Sequence, residues 1–170
     1  MTHLTDVLVY LLRAVYRQEL PNSRLTKMVY LADWRHAIMF HRQITSICWV
    51  FNHFGPYVPD VLDAARTHPD IFAIRQGSTS FGNLKNDVRL IDPSYVPSLE
   101  PDERVSLDHV VTSTSKLSYD EFVRLVYSTY PVLRTDRLAA MDLVSLADEY
   151  RVLLRESGVP FGSPASRPFG

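Results

Sequence analysis

The hydrophobic positions of the chain repeat mostly with the period of an α-helix. Along residues 5–19, leucines and a valine recur at helical spacing, which predicts a first amphipathic helix. In residues 23–42, apolar side chains occupy most faces of a second helix. A helix that is apolar on most sides must be surrounded by neighbours, so this segment is expected at the centre of the core. Further helices are predicted over residues 60–67, 101–117, 118–130 and 136–155.

Strand patterns occupy a smaller part of the chain. Residues 47–54 are rich in aromatic and β-branched side chains, and residues 71–75 and 87–91 flank a Gly- and Ser-rich connection. A small two- or three-stranded sheet is expected, which residues 47–51 can join. The predicted fold is mainly α: a compact helical bundle around a central buried helix, with a small inserted β-sheet.

One domain is predicted over residues 1–156. The remaining residues, 157–170, are rich in Gly, Pro and Ser and contain the triplet P-F-G twice. This composition predicts a tail that is disordered when free, because it offers too little apolar surface to bury.

Composition narrows the function classes. The 170 residues are 46% hydrophobic, and they include 18 basic and 19 acidic residues, for a net charge of −1. This balance supplies no general attraction toward nucleic acid or an anionic membrane. No long apolar run lacks charges, and the first residues do not resemble a secretory leader. Cys48 is the single cysteine, so no internal disulfide can form. A cytoplasmic location is expected.

Metal binding is the first chemistry to consider. Asp33 and His36 are three residues apart on one helical turn, but His41 is five residues further, a spacing that separates side chains. Cys48 and His53 come from the following strand, and nothing in the sequence fixes their geometry. The prediction is therefore no metal site, with His36 a core histidine whose tautomer is held by Asp33.

Nucleophilic catalysis is the second. Cys48 could pair with His53 or His36, but it lies between Ile47 and Trp49 in an apolar run. Apolar burial raises the pKa of a thiol and makes it unreactive. Cys48 is therefore predicted to be buried and structural. The glycines of G-S-T-S-F-G-N lack the following lysine of a phosphate-binding loop.

Basic residues are scattered over the first two predicted helices. They are Arg13, Arg17, Arg24, Lys27, Arg35 and Arg42. A solvated face is the favoured interpretation of this pattern, and a weak nucleic-acid-binding face is the alternative.

Aromatic residues cluster around the G-P-Y-V-P turn at residues 55–59. Trp49 and Phe51 are expected in the core. For Phe54 and Tyr57, beside a rigid turn, both core packing and exposure to a partner stay open; aromatic side chains dominate binding hot spots. A second aromatic group is Y-S-T-Y-P at residues 127–131. The predicted partner-binding residues are Trp34, Phe54, Gly55, Pro56, Tyr57, Tyr127 and Tyr130, and the predicted structural residues are Asp33, His36, Cys48 and Trp49.

Two motifs carry a resemblance to a known family. The segments L-T-K-M-V-Y-L-A-D at residues 25–33 and F-G-P-Y-V-P-D-V at residues 54–61 resemble the Panacea domain family, the SocA-like antitoxins of bacteria and phages. In that family a tyrosine before the glycine and a valine after the proline are more usual. The family also often carries an aromatic–proline element before its last helix, where Tyr127, Tyr130 and Pro131 stand here.

The resemblance implies an antitoxin that neutralises a cognate protein toxin by direct contact. One branch of the family acts as an adaptor that delivers the toxin to a protease. No catalytic activity and no cofactor are expected. The rival hypotheses are an enzyme using Asp33, His36 and His53, and a nucleic-acid-binding regulator on the same fold.

Overall fold

The chain folds mainly into α-helices, as the sequence predicts. A computed structural model describes residues 3–159, and within that range seven α-helices and six short strands follow one another. The helices are α1 Leu4–Arg13, α2 Asn22–Phe40, α3 Asp60–Thr67, α4 Pro101–Thr114, α5 Tyr119–Tyr127, α6 Tyr130–Arg134 and α7 Leu143–Glu156. The strands are β1 Glu19–Pro21, β2 Trp49–Asn52, β3 Gly55–Pro56, β4 Phe72–Ser78, β5 Leu84–Leu90 and β6 Ala140–Met141.

Helix α2 contributes several of the largest buried side chains. Fourteen of its nineteen residues are buried, among them Tyr30 and Trp34. Helices α1, α3, α4 and α7 all contact it. Arg151 of α7 donates hydrogen bonds to the carbonyl oxygens of Ala37 (3.0 Å) and Ile38 (2.7 Å). These bonds satisfy acceptors that a helix end leaves open, and they attach α7 to the C-terminal end of α2.

The first helix is shorter than predicted and ends at Arg13 instead of near residue 19. Arg17 (φ 59°) and Gln18 (φ 53°) take left-handed backbone conformations, which a regular helix cannot contain. Strand β1 follows and pairs antiparallel with β5, with Leu20 opposite Val88. Pairing with a distant strand therefore replaces the last predicted turns of the helix.

Two three-stranded antiparallel sheets form in the described part of the chain, in the orders β1-β5-β4 and β3-β2-β6. The predicted hairpin is present as β4 and β5, with Phe72 opposite Leu90. The grouping of residues 47–51 with this hairpin is wrong. Strand β2 pairs instead with β3 on one side and with β6 on the other, where Trp49 lies opposite Met141. The Gly-Pro turn folds straight back onto β2 and occupies one of its edges.

The last two predicted helices are shorter in the structure. Helix α5 ends at Tyr127, and Pro131 lies in the first turn of α6, where its missing N–H leaves no bond unmade. Helix α7 begins at Leu143 and not at residue 136, because the Asp142 side chain accepts a hydrogen bond from the Ser145 amide (3.0 Å) and caps it there. The tail predicted from residue 157, with both P-F-G triplets, lies outside the described residues from residue 160 onward. Within residues 3–159, no helix has the length and apolar character to cross a membrane.

Candidate protein-binding surface

The turn between β2 and β3 presents a phenylalanine to solvent. Asn52 lies opposite Gly55, so the chain reverses at His53 and Phe54. Phe54 is 82% exposed, whereas Gly55 and Pro56 are buried. The predicted partner contacts at Gly55 and Pro56 are therefore corrected: these two residues hold the turn in place, and Phe54 is the side chain displayed on it.

Gly55 packs directly against helix α5. Its backbone is left-handed (φ +94°), a conformation that glycine adopts without steric cost. A Cβ atom at this position would lie 3.2 Å from Cε2 of Tyr127. The Tyr127 ring also packs against the Phe51 ring in a T-shaped arrangement, with ring centroids 6.2 Å apart. The turn is thus fixed against the last residue of α5.

Replacing Gly55 with alanine is expected to lower the free energy of unfolding by about 1–3 kcal/mol, because both the backbone conformation and the contact with Tyr127 become strained. Urea unfolding followed by circular dichroism measures the change. Gly77→Ala is the matched control, because a Cβ at Gly77 meets nothing within 4 Å and its φ is not left-handed. An equal effect of the two substitutions would contradict this account.

Tyr57 ties the other side of the turn to helix α2. The Asn22 side-chain Nδ2 donates to the Tyr57 hydroxyl (3.2 Å), and the Asn22 side-chain Oδ1 accepts from the Thr26 hydroxyl (3.1 Å). Tyr57 itself is half-buried. The predicted residues Phe54, Tyr57 and Tyr127 are therefore brought together around one rigid turn.

Trp34 and Tyr130 lie in a different environment. Trp34 is fully buried, and its ring lies 5.9 Å from that of Tyr150 in α7. The Tyr130 ring also contacts the Tyr150 ring in a tilted arrangement, at 5.3 Å between centroids, and burial raises the pKa of Tyr130. The prediction of a partner contact at Trp34 is wrong, because its indole packs inward against α7. Tyr130 is half-buried and joins this helix–helix packing.

The Asp33 carboxylate organises the loop that follows α2. Its Oδ1 accepts hydrogen bonds from the amides of Ile44 and Thr45, both at 2.9 Å. Its Oδ2 accepts from the Thr45 hydroxyl (2.5 Å) and from Trp49 Nε1 (2.9 Å). Burial raises the pKa of Asp33, and these hydrogen bonds oppose the rise. The side chain thus supplies acceptors to a segment that has no regular structure of its own.

The predicted pairing of His36 with Asp33 is wrong. His36 is buried, but its Nδ1 forms a hydrogen bond with the Ser106 hydroxyl of α4 (2.9 Å), and burial lowers its pKa. The Asp33 carboxylate oxygens instead accept hydrogen bonds from the donors of the loop. Among the described residues, no group of three His, Cys, Asp or Glu side chains is placed to hold a metal ion.

Cys48 is exposed and not buried as predicted. Ile47 and Trp49 both point into the core, and side chains alternate between the two faces of an extended segment. The residue between them is therefore directed to solvent. The apolar run around Cys48 concealed this alternation.

Several of the scattered arginines contact other parts of the chain. Arg13 donates to the Tyr95 carbonyl (2.6 Å), and Arg24 donates to the Thr114 carbonyl (3.0 Å). Arg42 pairs with Asp102 at 2.6 Å. These guanidinium groups link α1 and α2 to the α4 region. These three basic side chains thus bond to groups of the protein itself.

A cleft of about 350 Å³ lies beside the Gly-Pro turn. Its lining comprises Lys27, Phe54, Tyr119, Asp120, Val123, Arg124 and Tyr127. Helix α2 contributes the lysine, the turn contributes Phe54, and α5 contributes the rest. The two aromatic positions predicted at Phe54 and Tyr127 are thus two walls of the same cleft.

A second groove, of about 740 Å³, continues this surface toward the β4–β5 hairpin. Tyr119 lines both the cleft and the groove, and Tyr57, Phe81 and Leu84 line the groove. At the hairpin, Phe81 is 90% exposed and Leu84 is 89% exposed. We refer to Phe54, Tyr57, Phe81, Leu84, Tyr119 and Tyr127 together as the aromatic surface.

Three members of this surface, Phe81, Leu84 and Tyr119, and the cleft itself were not predicted from the sequence. Phe81 had one available signal, as an apolar residue inside the polar hairpin connection. Leu84 and Tyr119 had none, because they join the surface only when the hairpin and α5 fold toward the turn. Lys27 was grouped with the scattered basic residues although it lies almost fully inside the protein.

These features define a mainly α domain that displays exposed aromatic side chains next to a cleft. The family model of the SocA-like antitoxin, Panacea domain, matches residues 25–131. The chain therefore belongs to this SocA-like Panacea domain family, and the matched span includes most of α2, the Gly-Pro turn and α5. Searches against curated proteins and against solved structures each gave no significant match.

Proposed function

We propose that the protein is an antitoxin that neutralises a cognate protein toxin by direct contact through the aromatic surface. The observation that carries this proposal is Phe54, an exposed phenylalanine on a turn that Gly55 and Tyr57 fix on both sides. A rigid exposed aromatic loses little entropy on binding and buries a large apolar area. Large contiguous apolar surface is also a feature of interaction sites.

Binding without catalysis is part of the proposal. The carboxylate of Asp33, which the enzyme hypothesis requires, is already occupied by four close donors. His36 is buried and bonded to Ser106. For the nucleic-acid hypothesis, the arginines that contact carbonyls and Asp102 are less available to phosphates. These contacts favour a protein partner over both rivals.

Co-expression with the product of an adjacent reading frame tests the proposal. We expect that product to arrest growth when expressed alone, and growth to recover when this protein is co-expressed. The two chains should co-purify. An unrelated reading frame from the same genome serves as the control.

The amount of toxin distinguishes two modes of neutralisation. If the antitoxin sequesters the toxin, the toxin accumulates in a stable complex. If it acts as an adaptor to a protease, the amount of toxin falls in cells that contain the protease and recovers in a strain that lacks it. Absence of both rescue and co-purification would overturn the antitoxin proposal for that pair of genes.

A further inference from the structure

Lys27 is a largely buried residue whose side chain forms part of the wall of the cleft. Its side chain is only 3% exposed, yet it lines the cleft beside the Gly-Pro turn. Among the described residues, no carboxylate lies within ion-pair distance of its amino group, and no protein acceptor receives a hydrogen bond from it. Burial lowers the pKa of Lys27. The Lys27 amino group is not one of the fully enclosed polar groups of the described residues, so it reaches the open cleft. An ammonium group that is largely withdrawn from water, faces a cleft and has no protein carboxylate beside it is suited to receive an anion.

The other charges of the cleft determine what kind of anion fits. Arg124 adds a second positive charge to the lining, and Asp120 adds a negative one. The lining therefore carries one net positive charge. A singly charged carboxylate matches this balance better than a phosphate dianion, which would meet the Asp120 carboxylate in the same cleft.

The walls of the cleft add an apolar requirement. The rings of Phe54, Tyr119 and Tyr127 and the side chain of Val123 surround the polar groups. A ligand must therefore present a carboxylate next to apolar atoms, as a protein segment with an acidic side chain or a terminal carboxylate does. We propose that Lys27 binds a carboxylate of the partner protein in this cleft. The inference rests on the proposed function, because the cleft belongs to the same surface.

A spectroscopic titration tests the carboxylate site without the partner. Lys27, Lys85 and Lys116 are the three lysines of the sequence, so protein containing ¹³Cε-lysine gives few signals. Acetate is added at constant ionic strength by exchange for chloride. We expect the Lys27 signal to shift saturably while those of Lys85 and Lys116 stay in place. An unresponsive Lys27, a common shift of all three signals, or stronger binding of inorganic phosphate would each overturn the proposal.

A substitution at Lys27 then tests the site with the partner. In complex with the product of the adjacent reading frame, Lys27→Met is expected to weaken binding about tenfold or more, because a charge-assisted contact is lost. Its thermal stability should be unchanged or higher, because methionine fills the aliphatic volume and removes a buried charge. Lys116→Met, at an exposed position, is the control and should bind as the wild type does.

The two arms separate the two proposals. If the wild type binds its partner and Lys27→Met binds equally well, the carboxylate inference fails and the antitoxin proposal stands. If acetate shifts Lys27 but the adjacent product neither binds nor is neutralised, the antitoxin proposal for that gene pair fails and the carboxylate site stands.

Discussion

Replacing Asp33 with alanine is expected to lower the free energy of unfolding by about 3–5 kcal/mol. The substitution leaves the amides of Ile44 and Thr45, the Thr45 hydroxyl and Trp49 Nε1 without their acceptor. Each buried donor that loses its partner costs about 1–3 kcal/mol, and partial rearrangement of the loop keeps the sum below the simple total. Urea unfolding at neutral pH measures the loss.

Two further variants test the cause of that loss. Trp49→Phe removes one of the four donors and keeps the carboxylate. The part of its decrease in unfolding free energy that comes from the lost hydrogen bond should therefore be only about 1 kcal/mol. Asp63→Ala is the matched control, because Asp63 is exposed and makes only a long surface pair with Arg66 (3.8 Å). If Asp33→Ala cost no more than Asp63→Ala, the loop would not depend on the carboxylate.

The Asp33 region shows what the sequence could predict and what it could not. The apolar pattern of residues 23–42 predicts a helix in this place, and α2 forms from Asn22 to Phe40. The partner of Asp33 could not be predicted, because its donors lie in an irregular segment whose path follows no periodic pattern. His36, one turn away on the same helix, was the nearest candidate partner for Asp33. In the structure, however, His36 forms its hydrogen bond with Ser106 of α4.

Errors in secondary structure have a related origin. The helix predicted through residue 19 gives way to β1 because β5, some seventy residues later, offers a strand to pair with. In the same way β2 pairs with β6, although the residues of β6 lie inside the last helix that the sequence predicts. A local pattern indicates whether a segment favours helix or strand. Where the two are favoured about equally, pairing with a distant strand decides which one forms.

The candidate surface was accessible to prediction only in part. The rigid turn around Phe54 could be recognised, since Gly and Pro fix the backbone and aromatic residues surround them. Its neighbours at Phe81 and Tyr119 come from a hairpin and a helix that are distant in sequence. The sequence therefore indicated the centre of the aromatic surface but neither its extent nor the buried lysine beside it.

Replacing Phe54 with alanine is expected to weaken binding of the product of the adjacent reading frame about 30-fold, corresponding to about 2 kcal/mol. Phe54 is the aromatic side chain that the turn displays, and it borders the cleft that contains Lys27. Its loss removes apolar contact area and opens the cleft to water, which also weakens the charged contact proposed at Lys27. Isothermal titration calorimetry measures the affinity, and co-expression measures the loss of growth rescue.

Stability should hardly respond to the same substitution. An exposed side chain contributes little to the core, so the free energy of unfolding is expected to stay within about 0.5 kcal/mol of wild type. Val96→Ala is the control, because Val96 is also exposed but lines a different cleft with Tyr10 and Arg104. Full affinity in Phe54→Ala, or an equal loss in Val96→Ala, would place the toxin contact elsewhere on the domain. A loss of affinity confined to Phe54→Ala, at unchanged stability, separates a binding role from the core-packing role that the sequence left open.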